Sequence, residues 1–136
     1  MNYSRRDLTL LLPALAATSG AAQQKALPSK AFKFEDLPVR GTARAVLNGE
    51  THSGFPIEMH ITELPAGQAP HPPHKHVHEE VLMLRSGMLD ATILGQTTRV
   101  NAGSVLYLAS NEEHGWRNPG SDPAQYFVIS LGGDKA

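Results

Sequence analysis

Short apolar segments separated by glycine- and proline-rich turns constrain the fold of this chain more than any other feature of its sequence. Beyond residue 25, no segment repeats apolar residues with the 3.6-residue period of a long amphipathic helix. The apolar segments instead have the length of strands, and turn residues recur between them at close intervals. This pattern predicts an all-β chain that forms one small antiparallel sandwich or closed barrel. The predicted strands are AFKF (31–34), ARAVLN (43–48), PIEMHITEL (56–64), EVLML (80–84), MLDATIL (88–94), TTRV (97–100), SVLYL (104–108), HGWR (114–117) and QYFVISL (125–131).

The composition narrows the partners and the chemistry of this domain. The 136 residues carry a formal net charge of −1, so no bulk electrostatic field draws the chain to nucleic acid or to an anionic membrane. The chain has no cysteine, which excludes disulfides, thiolate metal sites and cysteine nucleophiles. A bound metal would therefore have nitrogen and oxygen ligands.

The first 25 residues differ from the rest and have the layout of an export signal. Arg5 and Arg6 precede an apolar stretch from Leu8 to Ala17, and small residues follow it. This stretch is shorter than the roughly 20 residues that a membrane span needs, and Pro13 interrupts it. The alternative is a buried N-terminal helix with a basic cap, for which the sequence shows no apolar partner helix.

The two arginines also resemble a twin-arginine signal. Leu8 stands where phenylalanine is commonest in such signals, and the usual downstream lysine is missing. The sequence therefore predicts an exported, periplasmic protein with a signal over residues 1–25. The mature part, residues 26–136, would be a single β-barrel domain with no membrane segment. The export route and the cleavage of the signal stay open.

The segment HPPHKHVHEE (71–80) places four histidines and two glutamates in ten positions. One interpretation is a solvated loop that the prolines hold extended. A second is a helix with His74 and His78 on one face, but Leu82 stands where a helical HExxH zinc motif needs its second histidine. The third is a strand, on which His74, His76 and Glu80 would share one face because side chains alternate. Two imidazoles and a carboxylate on one face suit a divalent first-row ion.

Two further histidines bear on this interpretation. His78 has the same parity as His74, so spacing alone leaves open which residues would bind a metal. His114 lies in SNEEHGWRN (110–118), in a predicted turn before a strand, and a barrel can return it to the first cluster. It would then supply a fourth ligand.

From Gly67 to Asn118 the sequence resembles the two-motif signature of the cupin superfamily. The first motif, G-x5-H-x-H-x3-4-E-x6-G, is matched by Gly67, His74, His76, Glu80 and Gly87, with six residues rather than five after the first glycine. The second motif, G-x5-P-x-G-x2-H-x3-N, is matched by Gly103, His114 and Asn118. Ala109 and Asn111 replace its proline and second glycine.

The resemblance implies a cupin-type jelly-roll β-barrel with one divalent metal ion. Carried over position by position, it implies that the metal ligands are His74, His76, Glu80 and His114. Gly87 and Gly103 would be turn positions with positive φ, and Asn118 a structural turn residue. The resemblance assigns no role to His78 and no catalytic residue.

The implied metal site predicts a function only in outline. Three neutral imidazoles and one carboxylate would leave a divalent centre with a net charge of about +1, which would accept an anionic oxygen. We expect Mn or Fe, with Zn, Ni or Cu as alternatives. We expect an enzyme acting on a small oxygenated organic compound, with a dioxygenase-type reaction ahead of isomerase or lyase chemistry. The alternative is a non-catalytic module that binds a small ligand or a metal.

Neighbouring residues give expectations about the cavity wall and the assembly. The parity of Leu82 and Leu84 predicts that they face the barrel interior, and Trp116 is either an aromatic wall near the metal or a core residue. Met59, Tyr107 and Tyr126 could line the mouth or pack elsewhere. The resemblance also implies a homodimer that pairs through N-terminal strands.

Overall fold

The computed structural model describes residues 26–133. Over these residues the chain forms nine strands and one short 3-10 turn, Phe34–Asp36. The strands are β1 Val39–Arg40, β2 Ala43–Glu50, β3 Pro56–Leu64, β4 Glu79–Ser86, β5 Met88–Ile93, β6 Gln96–Asn101, β7 Val105–Leu108, β8 His114–Arg117 and β9 Ala124–Leu131. Within the described part of the chain, no helix is long and apolar enough to cross a membrane. The predicted export signal, residues 1–25, lies outside the described residues and stays a prediction.

The strands form two antiparallel sheets. The larger sheet has the order β1-β2-β3-β9-β4-β7, and the smaller one has the order β6-β5-β8. β9 lies between β3 and β4 in the larger sheet, so the C-terminal strand joins the two halves of the chain. The predicted all-β class and eight of the nine predicted strands are confirmed.

The predicted strand AFKF (31–34) is wrong. Phe34 begins the 3-10 turn instead, and Leu37 donates a backbone hydrogen bond to the Phe34 carbonyl at 3.3 Å. Phe32 and Phe34 are both 39% exposed, whereas Leu37 packs into the interior at 8%. The alternating apolar residues that resembled a strand therefore have no sheet partner, and strand pairing with β2 begins only at Val39.

The core lies between the two sheets. Its members come mainly from the inner faces of β4, β5, β7 and β9, with Leu82 and Leu89 at 0% exposure. Burial of one such leucine contributes about 1.5–3 kcal/mol. Leu82 and Leu84 face the interior, as their parity predicts, because β4 alternates buried and half-buried positions there.

Three turn residues of the two motifs behave as predicted. Gly87 and Gly103 have φ of +81° and +91°. Asn118 is fully buried, and its side-chain amide donates to the carbonyls of Leu64 and Asp122 at 3.0 Å and 2.8 Å. Asn118 therefore ties the end of β3 to the turn before β9, close to the strand that carries His114.

Candidate metal centre

The segment that precedes β4 is neither a helix nor a regular strand. β4 begins only at Glu79, and of the histidines before it only His74 forms a β-bridge, with His114. The His74 and His114 backbones exchange two hydrogen bonds, of 2.9 Å and 2.8 Å. The backbone amide of Asn111 donates to the His76 carbonyl at 2.7 Å. Of the three interpretations, the strand from His74 to Glu80 is thus wrong in extent, because the segment bonds to the loop before β8 rather than to a sheet neighbour along its length.

The bridge brings the two distant motifs together. Nε2 of His76 lies 3.5 Å from Oε2 of Glu80, and Nε2 of His114 lies 3.7 Å from that same oxygen. All three atoms are buried, and none of them has a hydrogen-bond partner among residues 26–133. A buried polar atom without a partner costs about 1–3 kcal/mol, so three such donor atoms in one place fit the ligand set of a cation.

The ring orientations of both histidines are fixed by backbone carbonyls. Nδ1 of His76 bonds to the carbonyl of His78 at 2.8 Å, and Nδ1 of His114 bonds to the carbonyl of Glu112 at 2.8 Å. A carbonyl only accepts, so each Nδ1 carries the proton, and in the neutral imidazole each Nε2 presents a lone pair. The lone pairs of two Nε2 atoms and a carboxylate oxygen repel one another, and a cation would relieve that repulsion.

His74 borders this cluster. Its ring centroid lies 5.1 Å from that of His76 and 5.0 Å from that of His114. Burial, followed by the neighbouring His71 and His114, lowers the pKa of His74. The neutral imidazole that a metal ligand needs is therefore favoured at His74.

Glu80 is held through its second oxygen. Nε2 of His78 lies 3.3 Å from Oε1 of Glu80, and Oγ of Ser130 donates to the same oxygen at 3.5 Å. The His78 ring stacks on the His76 ring with centroids 3.6 Å apart. These contacts orient the carboxylate so that Oε2 points towards His76 and His114.

The ligand-type atoms fall into two overlapping groups. In the first group, nitrogen atoms of His74, His76 and His114 lie within 4.8 Å of one another. In the second group, nitrogen atoms of His76 and His78 and a carboxylate oxygen of Glu80 lie within the same distance of one another. All four predicted ligands therefore lie in the cluster, together with His78. A set of imidazoles and one carboxylate suits a divalent first-row ion, and this cluster could hold one.

Trp116 forms one wall of the cluster and also belongs to the core. Its ring is parallel to that of His114 with centroids 6.2 Å apart, and its Nε1 donates to the hydroxyl of Tyr126 at 2.9 Å. Burial raises the pKa of Tyr126, so its hydroxyl stays protonated and neutral. The core interpretation of Trp116 is therefore confirmed, and its ring also borders the histidine cluster. Tyr107 is 60% exposed.

His71 and Ser130 were missed by the sequence analysis. The His71 ring lies 4.0 Å from that of His74 and meets the edge of Trp116 at 5.4 Å. Its position in HPPH was visible, but its direction depends on the path of the loop. Ser130 lies fifty residues beyond Glu80, and only the pairing of β4 with β9 places it opposite Glu80.

Comparison with known proteins identifies the family. A family model described as a cupin domain matches residues 60–130, which is just over half of the chain and contains every residue of the cluster. The chain belongs to the cupin family. No curated protein gave a significant match to this cupin.

Solved structures show the same fold. An RmlC-like cupin from Shewanella frigidimarina is 17% identical, with a TM-score of 0.61 over 79% of this chain and 95% of that chain. An RmlC-like cupin with a double-stranded β-helix fold from Methanocaldococcus jannaschii is 19% identical, with a TM-score of 0.62 over 79% and 94%. A cupin protein from Bacteroides fragilis is 26% identical, with a TM-score of 0.53 over 59% and 69%. The predicted cupin-type jelly-roll barrel is thereby confirmed.

Proposed function

We propose that this cupin is a divalent-metal-dependent enzyme that acts on a small oxygenated organic compound, with a dioxygenase-type reaction. We propose His74, His76, Glu80 and His114 as its metal ligands. The observation that carries the proposal is the convergence of Nε2 of His76, Nε2 of His114 and Oε2 of Glu80 as buried atoms without hydrogen-bond partners.

The surrounding residues suit such a reaction. A bound divalent ion would supply Lewis acidity to polarise a carbonyl, and iron would add reactivity towards O₂. Trp116 is 7% exposed and lies parallel to the His114 ring, so it excludes water from that side of the cluster. Glu80 can take a proton from the substrate, since His78 and Ser130 hold its second oxygen in place.

The metal that we propose is Mn or Fe, ahead of Zn, Ni or Cu. Nitrogen and oxygen ligands of this kind hold Cu²⁺ and Zn²⁺ more tightly than Mn²⁺ or Fe²⁺. Export of the folded protein by the twin-arginine route would let the ion bind in the cytoplasm, before the protein meets periplasmic copper and zinc. Elemental analysis of protein purified from its native compartment tests this choice, and zinc as its sole metal would contradict it.

Two further expectations accompany this function. We propose that the mature protein acts in the periplasm on a small molecule, and that it forms a homodimer. Fractionation of cells that express the full chain tests the first expectation, and analytical ultracentrifugation of the mature chain tests the second.

Oxygen uptake by the metal-loaded protein tests the reaction type. Protein loaded with Fe²⁺ or Mn²⁺ is supplied with a panel of small hydroxyl- and keto-compounds in an oxygen-electrode cell. We expect oxygen uptake with at least one compound and its loss in Glu80→Gln. His52→Ala should retain the uptake, because His52 is exposed and distant in sequence from the residues of the cluster. Tight binding of a compound with neither uptake nor conversion would favour the non-catalytic module.

A further inference from the structure

A row of polar side chains leads from the metal cluster across the inner face of the larger sheet. Glu80 of β4 pairs with Ser130 of β9, Ser130 pairs with Glu58 of β3, and Glu58 pairs with Asn48 of β2. Directly paired residues of neighbouring strands point to the same face. The four side chains therefore share the face that carries Glu80.

The next positions on the same face are mostly apolar. His60 pairs with Val128, and Val128 pairs with Leu82, which packs in the core at 0% exposure. Two residues further along each strand, Tyr126 pairs with Leu84. An interior sheet face gains stability from apolar side chains. The polar row at one end of this face therefore indicates a role in binding a ligand rather than in packing the core.

Glu58 and His60 form a pair within this region. Nδ1 of His60 lies 3.0 Å and 3.1 Å from the two carboxylate oxygens of Glu58. A carboxylate only accepts, so Nδ1 of His60 donates, and in the neutral ring Nε2 is left as an acceptor. No hydrogen bond joins this Nε2 to any residue in the described range 26–133. The His60 and Glu58 side chains are 30% and 34% exposed, so a solute can reach them.

A cavity opens at this pair. Its volume is about 630 Å³, and Asn48, Glu58 and His60 line one side of it. The segment before β1 also lines it, with Phe32 and Leu37 among its apolar residues. Charged side chains line the cavity as well, namely Lys30, Lys33, Asp36 and Arg40, and its volume lies in the range of small-molecule sites.

We infer that His60, held by Glu58, binds a hydroxyl group at the far end of a ligand whose carboxylate lies at the metal cluster. This inference rests on the proposed function. Glu58 and Glu80 are two strand spacings apart on this face, about 10 Å between Cα atoms with Ser130 between them, and this spacing sets the ligand length that the inference requires. The hydroxyl donates to Nε2 of His60, and the carboxylate meets the positive charge of the metal centre. The ligand class is that of small hydroxycarboxylic acids.

A chain-length series tests the inference. Manganese-loaded protein is titrated by calorimetry with ω-hydroxycarboxylates of increasing length and with the matched acids that end in a methyl group. The metal content of each sample is measured beforehand. We expect the hydroxyl to improve affinity at one intermediate length by about tenfold, the effect of one well-formed hydrogen bond. This advantage disappears in His60→Ala and shrinks in Glu58→Gln, whereas His52→Ala and Glu63→Gln retain it, since Glu63 is exposed and differs in parity from Glu58 on the same strand.

Each outcome of this experiment has a distinct meaning. Metal-loaded protein that shows no preference for the hydroxyl at any length overturns the inference and leaves the proposed metal site intact. An equal loss of affinity for both acids in His60→Ala also overturns it, because the residue would then only shape the cavity. Protein that takes up no metal overturns the proposed function and this inference together.

Discussion

His74 and His114 are joined through their backbones by two hydrogen bonds of 2.9 Å and 2.8 Å, and this bridge assembles the candidate site. Their side chains are in contact as well, since the two rings stand edge to face at 70° with centroids 5.0 Å apart. The site is therefore built by the path of the loop before β4 against the loop before β8. The side chains of His76, His114 and Glu80 then converge on a common point.

The convergence predicts opposite effects of Glu80→Gln on stability and on metal binding. An amide can donate to Nε2 of His76 or His114, which the carboxylate cannot do, so the metal-free protein should gain about 1 kcal/mol. The same change removes the negative charge from the site, and metal affinity should fall by at least about 100-fold. Urea unfolding in the presence of a chelator and metal titration measure the two effects. A metal-free variant that is less stable than the parent would show that the carboxylate has a structural role.

His78 and Ser130 both contact Oε1 of Glu80, and we expect their removal to lower metal affinity to different extents. His78→Ala removes the donor at 3.3 Å and the ring stacked on His76, so we expect the metal affinity to fall about 10- to 100-fold. Ser130→Ala removes only the longer contact of 3.5 Å, and its effect should be smaller. Competition with a chromogenic chelator measures both affinities. An unchanged affinity in His78→Ala would contradict the assigned orientation of Glu80.

The turn at Gly87 predicts a large loss of stability in Gly87→Ala. Its φ is +81°, and an added Cβ would lie 2.8 Å from Cα of Ala124. Strain and overlap together should lower the free energy of unfolding by about 3 kcal/mol. Gly103→Ala is the matched control, because its φ is +91° and an added Cβ would meet nothing within 4 Å. That control should cost about 1 kcal/mol. Equal losses in the two variants, measured by urea unfolding, would exclude the contact with Ala124 as a cause.

The ion pair between Asp90 and Arg99 predicts a pH-dependent contribution to stability. The Arg99 guanidinium, bonded to Asp90 at 2.8 Å and 3.0 Å, holds the pKa of Asp90 below its usual value of 3.8. A lowered pKa in the folded state stabilises the fold at pH values above the unfolded pKa. That stabilisation is lost as the pH falls through the folded value. The difference in unfolding free energy between the parent and Asp90→Asn should thus be small, present at neutral pH and absent in acid. A difference that grows on acidification would contradict it.

The sequence predicted those parts of the fold that depend on local pattern. Strand positions follow from alternation, as at Leu82 and Leu84, and the turns follow from residues such as Gly87 whose φ only glycine adopts easily. The strand at 31–34 failed because Phe32 and Phe34 alternate without any neighbouring strand to pair with. Alternation reports a possible half-buried surface, and only tertiary pairing makes it a strand.

The sequence was sufficient to predict which residues lie in the candidate cluster, but only part of their geometry. The spacing of His74, His76, Glu80 and His114 carried the resemblance to the family, and all four lie in the cluster. The positions of Ser130, Glu58 and His60 relative to the cluster depend on which strands are neighbours in the sheet. That order, β3-β9-β4, joins residues far apart in sequence and leaves no local signal.

The metal content of the purified mature protein tests the proposed site most directly. The parent, His76→Ala and the control His52→Ala are purified side by side and analysed for elements after removal of loosely bound ions. We expect about one equivalent of Mn or Fe in the parent and in His52→Ala, and little in His76→Ala. Absence of metal from the parent, or the same content in His76→Ala, would contradict the assignment of His74, His76, Glu80 and His114 as ligands.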